Sequence, residues 1–142
     1  MIELHEGVPT PKDYLALCAA AGLSAPHESV VAAGLTNSLY GVTAHHHQED
    51  LIGMARIVGD GAIFFEIVDV AVRPEFQDQG VGRRLMRDVL DWLAQHAHST
   101  AFVTLHANAG SEPFYRSLGF QCREADEPAM FHPDWNRMET RA

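Results

Sequence analysis

The sequence predicts a single α/β domain of the α+β type over residues 1–142, and three features carry this prediction. The first is a nearly continuous apolar run from Phe64 to Val72, as expected of a strand buried on both faces. The second is a set of apolar residues at helical spacing after a glycine-containing turn, namely Val81, Leu85, Val89 and Leu93. The third is the alternation of strands and helices along the chain, without internal repeats or linkers.

Three elements are predicted at the start of the chain. Residues 2–6 alternate apolar and polar side chains and predict a short strand. Thr10 before a proline is typical of a helix start, because its hydroxyl caps free N–H groups and proline suits the first helical position. That helix is predicted over Pro11–Ala21, where a glycine ends it. A second helix is predicted over Pro26–Ala33, ended by Gly34.

Two further strands precede the apolar run. They are predicted over Ser38–Ala44 and Leu51–Val58, joined by a polar turn over residues 45–50. Gly59-Asp60-Gly61 then predicts a tight hairpin that leads into the apolar strand. Proline cannot donate a ladder hydrogen bond, so Pro74 ends that strand.

The chain after the long helix predicts four short elements. They are a strand over Ala101–His106, a helix over Pro113–Leu118, and strands over Phe120–Arg123 and Ala129–His132. The tail from residue 134 is expected to be poorly ordered.

The turn before the long helix has the chemistry of an anion-binding loop. Gly80 and Gly82 allow a ligand to approach the backbone, and the first N–H groups of a helix have no partner within it. These donors and the helix dipole favour a phosphate, and Arg83 and Arg84 add positive charge. The chain has no Walker run, and Leu85 stands where a dinucleotide fingerprint needs its third glycine.

The residues around this turn form a longer pattern, Val70-x-Val72-x-Pro74-x-x-Gln77-x-x-Gly80-x-Gly82. It resembles the acyl-CoA-binding signature of the GNAT superfamily of N-acetyltransferases. The order of predicted elements is also that of the GNAT fold. A third match follows the next strand, where Asn108 precedes Tyr115 and a closing Gly119-Phe120 at the distance common in GNAT enzymes.

The resemblance implies a fold and a cosubstrate. The fold is a central mixed, mostly antiparallel sheet of about six to seven strands with about four flanking helices, splayed between strands 64–72 and 101–106. The cosubstrate is acetyl-CoA, and no metal is implied. Its pantetheine arm is expected to contact the backbone of Val70, Ala71 and Val72 and the side chain of Asn108. The amides expected to bind its pyrophosphate are those of Gln77, Asp78, Gln79, Gly80, Val81, Gly82 and Arg83.

An amine acceptor requires a base. An amine with a pKa of about 10.4 costs about 4–5 kcal/mol to deprotonate at pH 7. Glu66 is the best candidate, because it is predicted to share the face of Val68, Val70 and Val72 and its spacing before Gln77 resembles that of the base in histone-acetylating GNAT enzymes. Asp69 is the rival, on the opposite face by alternation, and a structural carboxylate is the simpler interpretation of it. Proton transfer through water alone stays open.

Tyr115 matches the GNAT tyrosine that protonates the departing CoA thiolate. A phenol with a pKa of about 10 is a competent acid for a thiolate. The structural alternative is that Phe114 and Tyr115 both pack as core residues.

Histidines and aromatic residues give weaker evidence for a functional site. His45, His46 and His47 alternate in direction and cannot converge on one ion, which favours a solvated turn over a metal site. His106 could relay a proton or serve a structural role. Four aromatic residues lie in segments that flank the acceptor groove of GNAT folds, and they either shape an amine pocket or complete the core: Tyr14, Tyr40, Phe131 and Trp135.

Composition limits the partners. The net charge of −9, from 10 basic and 19 acidic residues, argues against nucleic acid. No apolar run approaches the roughly 18 residues of a membrane span, and the N-terminus lacks the layout of a signal peptide. Cys18 and Cys122 form no disulfide framework, which indicates a reducing compartment and a cytoplasmic protein.

These features predict an enzyme that transfers acetyl from acetyl-CoA to a small-molecule primary amine of the arylalkylamine or polyamine type. Direct attack in a ternary complex is expected, since neither cysteine lies in a nucleophile setting. A protein lysine or N-terminus is the alternative acceptor. A non-catalytic acyl-CoA-binding module is the alternative function, and a homodimer is expected from the resemblance. The sequence identifies neither the acceptor nor a preference for acyl groups other than acetyl.

Overall fold

The computed structural model describes residues 1–47 and 50–133 of the chain. It has two compact units, Met1–His106 and Ala107–Ala142. Part of the predicted polar turn (residues 48–49), the predicted disordered tail and Trp135 lie outside the described residues. The prediction of one domain over residues 1–142 stays a prediction. No helix in the described ranges is long and apolar enough to cross a bilayer.

Among the described residues, the first unit contains five strands and three α-helices, and the second contains one short helix. Their bounds are β1 Ile2–Glu6, α1 Pro11–Ala21, α2 Glu28–Thr36, β2 Tyr40–His46, β3 Asp50–Gly59, β4 Phe64–Val72, α3 Val81–His96, β5 Phe102–Leu105 and α4 Glu112–Ser117. A single 3-10 turn, Pro74–Phe76, lies between β4 and α3.

The five strands form one sheet in the order β1-β2-β3-β4-β5. Neighbours are antiparallel except β4 and β5, which are parallel because α3 carries the chain back between them. This confirms the mixed, mostly antiparallel sheet with four helices. The two last predicted strands are wrong, because residues 120–123 and 129–132 form no strand. Met130 and Phe131 are exposed, so the apolar residues that suggested the last strand meet no core.

The helices cover opposite faces of the sheet. A methyl group added to Gly53 of β3 would lie 3.1 Å from Leu85 of α3. The next residue, Met54, is buried in a cluster with Tyr14 and Leu17 of α1. Successive strand residues point to opposite faces, so α3 packs on one face and α1 on the other. We call these the α3 face and the α1 face.

Helix α1 agrees with the prediction, whereas the predicted end of helix α2 is wrong. Helix α1 has the predicted bounds, with a Thr10 cap that accepts from the Asp13 N–H at 3.2 Å. Helix α2 begins at Glu28 and continues past Gly34 to Thr36. A glycine inside a helix costs only about 1 kcal/mol relative to alanine, and burial of Leu35 in the core offsets that cost.

The predicted hairpin before β4 is present. Gly59 has φ +146, and a Cβ there would lie 2.0 Å from the Phe64 carbonyl oxygen, so only glycine fits. The Asp60 carboxylate accepts from the N–H groups of Ala62, Ile63 and Phe64 at 2.7–3.1 Å. These three donors lower the pKa of Asp60 and hold the hairpin closed.

Strand β2 begins and ends two residues later than predicted. His45 and His46 were expected in a solvated turn, but they pair with Leu51 and Asp50 of β3. The His45 ring is half-buried 4.9 Å from the His5 ring, and its Nε2 lies 2.9 Å from the Thr43 hydroxyl. Its Nδ1 is buried without a hydrogen-bond partner in the described part of the chain. The pairing with β3 therefore outweighs the polar character of the histidines.

His45 predicts a pH-dependent stability. Burial and the neighbouring His5 lower its pKa, although Asp13 and Glu3 oppose the shift. The unfolded chain then binds a proton below a pH of about 6.5 that the folded chain does not bind, so stability falls as the pH drops through this range. Urea unfolding of wild type and His45→Gln from neutral to mildly acidic pH should show a smaller loss in the variant. Parallel curves would refute the assignment.

Candidate active site

The loop between β4 and α3 is held by hydrogen bonds to β3 and to the last residue of β4. The Arg73 N–H donates to the Ile52 carbonyl at 2.7 Å, and the Gln77 side-chain amide donates to the Val72 carbonyl at 3.0 Å. Asp78 (φ +61) and Gly80 (φ +82) both adopt left-handed backbone. These contacts turn the chain sharply, so that α3 begins at the end of β4.

The start of α3 lacks the usual groups that satisfy a helix N-terminus. Gly80 is the N-cap residue and supplies no side-chain cap, and the first turn contains no acidic residue. A Cβ at Gly80 would meet no atom within 4 Å. Arg84 donates to the Ile2 carbonyl at 2.9 Å and links α3 to β1. The first N–H groups and the positive end of the helix dipole are thus arranged to bind an anion.

A β-bulge interrupts β4. Met54 pairs with Ala71 and Arg56 with Val68, so β4 has one more residue than β3 between these pairs. Asp69 has φ +54 and is the extra residue. The insertion reverses the alternation of side chains between the two halves of the strand.

Because of the bulge, the two halves of β4 do not present their side chains to the sheet faces that were predicted. Val72 pairs with Gly53 and shares the α3 face, as Val70 does by alternation. Glu66 and Val68 lie on the α1 face instead. The prediction that Glu66 shares a face with Val70 and Val72 is wrong, because it assumed uninterrupted alternation.

Asp69 is a structural carboxylate. Its Oδ2 accepts from the Tyr14 hydroxyl at 2.9 Å and lies 2.9 Å from Nε and 2.8 Å from Nη2 of Arg56. Arg56 also donates to the Ser38 hydroxyl at 2.7 Å and to the Gly34 carbonyl at 3.3 Å. Burial and the adjacent Asp69 charge raise the pKa of Tyr14, which stays protonated. Asp69 was expected on the face opposite Glu66; its contacts with Tyr14 and Arg56 place it on the α1 face, which Glu66 shares.

The pairing of β4 with β5 ends just before the bulge, because β5 ends at Leu105. It runs from Phe64–Phe102 to Ile67–Leu105, and β4 continues to Val72 paired with β3 only. The peptide groups of β4 after Ile67 therefore have no partner in β5. The predicted splay between the two strands stays a prediction. Val70, Ala71 and Val72, predicted to contact pantetheine, lie on the segment of β4 that pairs with β3 and not with β5.

Glu66 lies just before the splay with a histidine beside it. Its Oε1 is 3.6 Å from Nδ1 of His106, the residue that follows β5. The side chains are 38% and 75% exposed, so His106 is not a buried structural histidine. Sequence reasoning treated these residues separately. The parallel pairing of Glu66 with Thr104 is what brings His106 next to Glu66.

Tyr115 and Asn108 belong to the second unit. Tyr115 lies on α4 in edge contact with Phe114 and Phe120, and burial raises the pKa of its phenol. The Asn108 carbonyl accepts from the Ser111 N–H at 3.0 Å and starts the turn before α4.

The other two aromatic candidates in the first unit differ in burial, since Tyr14 is buried and Tyr40 is half-buried. Tyr14 is buried against Asp69. Tyr40 donates to Asp88 and stacks on Trp92 of α3. Within the described ranges, no three histidine, cysteine or acidic residues are grouped to hold a metal ion.

Comparison with known proteins identifies the family. A model of the acetyltransferase (GNAT) family matches residues 13–120. The chain belongs to the GNAT acetyltransferase family. The family is one of acetyltransferases, and the relatives that this GNAT protein resembles carry that description.

Individual relatives agree with this family. A probable acetyltransferase of unknown function from meticillin-resistant Staphylococcus aureus is 32% identical, with a TM-score of 0.88 over 93% of this chain and 98% of that chain. A GNAT family acetyltransferase from Streptococcus pneumoniae is 27% identical, with a TM-score of 0.78 over 95% and 99%. Histone acetyltransferase TAP1 of Glycine max is 34% identical over 129 residues, which is 84% of this chain and 55% of the relative. The chain spans about half the length of the curated relatives it matches.

The Asp69 ion pair predicts a large effect on stability. The side chains of Arg56 and Asp69 are only 12% and 21% exposed. Asp69→Asn tolerates the left-handed backbone but leaves Arg56 without its counter-charge, so the free energy of unfolding should fall by about 3 kcal/mol. Urea unfolding measures this loss. Glu127→Gln, which removes an exposed pair with Arg123, should leave stability nearly unchanged. Equal midpoints for Asp69→Asn and wild type would contradict the structural role of Asp69.

Proposed function

We propose that this GNAT protein transfers acetyl from acetyl-CoA to a primary amine by direct attack in a ternary complex, with a small amine as acceptor. The observation that carries the proposal is the uncapped start of α3, together with the end of β4 that has no partner in β5. The loop from Gln77 to Arg83 would bind the pyrophosphate. The edge of β4 at Val70, Ala71 and Val72 would bind the pantetheine arm, with Asn108 as a further contact.

Each proton transferred in the proposed reaction has a donor and an acceptor. The neutral amine nitrogen attacks the thioester carbonyl carbon, and a C–N bond forms as the C–S bond breaks. Glu66 takes the proton of the amine, directly or through water, and Tyr115 protonates the departing thiolate. A backbone N–H of β4 beyond Ile67 would stabilise the charge on the carbonyl oxygen.

The two cysteines favour direct attack over a covalent enzyme intermediate. Cys18 is buried, and burial raises the pKa of its thiol. Cys122 is exposed, and its hydrogen bond to Glu112 raises its pKa in turn. Neither residue is therefore a ready thiolate nucleophile.

A protein lysine or N-terminus is the second candidate acceptor. The observation that favours it is the similarity to a relative named as a histone acetyltransferase. Acidic residues outnumber basic ones, which suits a cationic acceptor of either kind. A cytoplasmic location and a homodimer stay predictions.

Thiol release from acetyl-CoA with a panel of amines and a lysine peptide tests the proposal. Tyr115→Phe should lower kcat roughly 100-fold, because the thiolate loses its proton donor. Glu66→Gln should lower kcat/KM most at neutral pH and least at high pH, where the amine is already neutral.

The control for this test is Tyr40→Phe, which removes a phenol hydroxyl that donates to Asp88. Its kcat should match wild type. Tight acetyl-CoA binding without turnover of any acceptor would refute catalysis and support a binding module. Uniform loss in Glu66→Gln at every pH would exclude Glu66 as the base.

Two glycines provide a matched test of the pyrophosphate loop. Gly80 (φ +82) and Gly22 (φ +75) have similar left-handed backbone, and a Cβ at either would meet no atom within 4 Å. Gly80→Ala and Gly22→Ala should each cost about 1 kcal/mol of stability. Only Gly80→Ala should weaken acetyl-CoA binding, because its methyl group would enter the pyrophosphate space. Calorimetric titration measures both affinities, and equal affinities would place the pyrophosphate elsewhere.

A further inference from the structure

Two phenylalanines at the start of the β4–β5 pair are unexpectedly exposed. The sequence predicted Phe64 in a strand buried on both faces, but it is 58% exposed, and Phe102 is 53% exposed. The two residues are direct partners in the parallel pairing. Their rings stack with centroids 5.3 Å apart and planes inclined by 20°. The protein thus presents a preformed aromatic surface, which we call the Phe64–Phe102 pair.

The Phe64–Phe102 pair lies on the same sheet face as the proposed base. The pairing of β4 with β3 is regular from Phe65 to Val68, so Phe64 and Glu66 point to one face. Residues two apart on a strand are separated by about 7 Å. Glu66 therefore lies about 7 Å from the aromatic pair, with His106 on its other side.

The helix on this face leaves the start of β4 uncovered. Tyr14 of α1 contacts Asp69, beyond the position of Glu66 along the strand. Phe65, which points to the other face, is buried against Trp92 of α3. Single exposed apolar residues are common, but two stacked rings beside a carboxylate suit a ligand with an apolar group and a positive charge.

We propose that the Phe64–Phe102 pair binds an aromatic group of the acceptor, with the amine directed to Glu66. This assigns the acceptor to the arylalkylamine class and rests on the proposed function. An aryl ring stacks on the two phenyl rings while a short alkyl chain spans the distance to Glu66. The ammonium group meets the carboxylate before it loses its proton.

A polyamine fits this surface less well. Its second ammonium group would lie against the two phenyl rings and lose hydration without gaining a carboxylate. The nearest carboxylate in the hairpin before β4 is Asp60, which already accepts from three backbone N–H groups. An aromatic group therefore suits this position better than a second charge.

Competing acceptors and three substitutions test the proposal. Phenethylamine, hexylamine and putrescine are compared at saturating acetyl-CoA by thiol release. Wild type should prefer phenethylamine. Phe102→Ala should lower kcat/KM for phenethylamine about tenfold and leave that for putrescine within about twofold, because the aromatic contact is lost. Phe64→Ala should act in the same direction.

Val103→Ala is the matched control. Val103 is the neighbour of Phe102 on β5, points to the opposite face by alternation and is 36% exposed. It should change none of the three rates selectively. Phe102→Leu keeps the apolar bulk without the ring and tests the proposal if the alanine variant does not fold. It should lower the preference for phenethylamine over hexylamine.

The outcomes separate this inference from the proposed function. Turnover with equal loss for all amines in Phe102→Ala, or a wild-type preference for putrescine, overturns the aromatic subsite and leaves the acetyltransferase intact. Turnover of the lysine peptide alone overturns the subsite in favour of a protein acceptor. Acetyl-CoA binding without turnover of any acceptor overturns both. Selective loss for phenethylamine supports both.

Discussion

The ion pair between Asp69 and Arg56 is the interaction on which the arrangement of β4 depends. It places a charged residue inside an apolar strand, in a left-handed backbone conformation that an L-residue seldom adopts. Tyr14 satisfies the same carboxylate oxygen from α1, and Arg56 reaches the end of α2 at Gly34. One carboxylate thus connects two helices, the neighbouring strand and the bulge, and partial burial makes the loss of either charge costly.

The features proposed for cosubstrate binding are backbone features. The end of β5 at Leu105 leaves the last residues of β4 without a partner strand on that side, and the turn at Gly80 starts a helix without a side-chain cap. Unsatisfied peptide groups are costly unless water or a ligand binds them. Exposing them at two neighbouring places is easier to understand if the same extended ligand satisfies both. Side chains then have the separate tasks of proton transfer and acceptor selection.

Local chemistry explains what could be predicted from the sequence. The bounds of α1 follow from a threonine cap, a proline and a glycine, and the buried stripe of α3 follows from its apolar spacing. The hairpin before β4 and the family motif are also local patterns. The remaining features depend on residues distant in the chain. Tyr14 and Asp69 are 55 residues apart in sequence, so the contacts of the bulge follow no local pattern. The contact of Glu66 with His106 requires α3 to return the chain beside β4.

Errors in the prediction have the same origin. The polar character of His45 and the glycine in α2 are local signals that tertiary pairing and core burial overcame. The last two strands were predicted from short apolar stretches that meet no core among the described residues. Phe64 was placed in a core because of its type, although nothing in the described structure covers it. An apolar residue in a strand indicates burial only if another element packs on that face.

The extra residue in β4 also affects how the function of a residue is inferred from an alignment with related chains. Before Asp69 the even-numbered residues of β4 face α1, and after it the odd-numbered residues do. An alignment that places a single-residue gap on the wrong side of Asp69 would exchange the inward and outward residues of half the strand while keeping every motif in place. The two halves of β4 are therefore best compared as separate segments, each anchored to its own partners in β3.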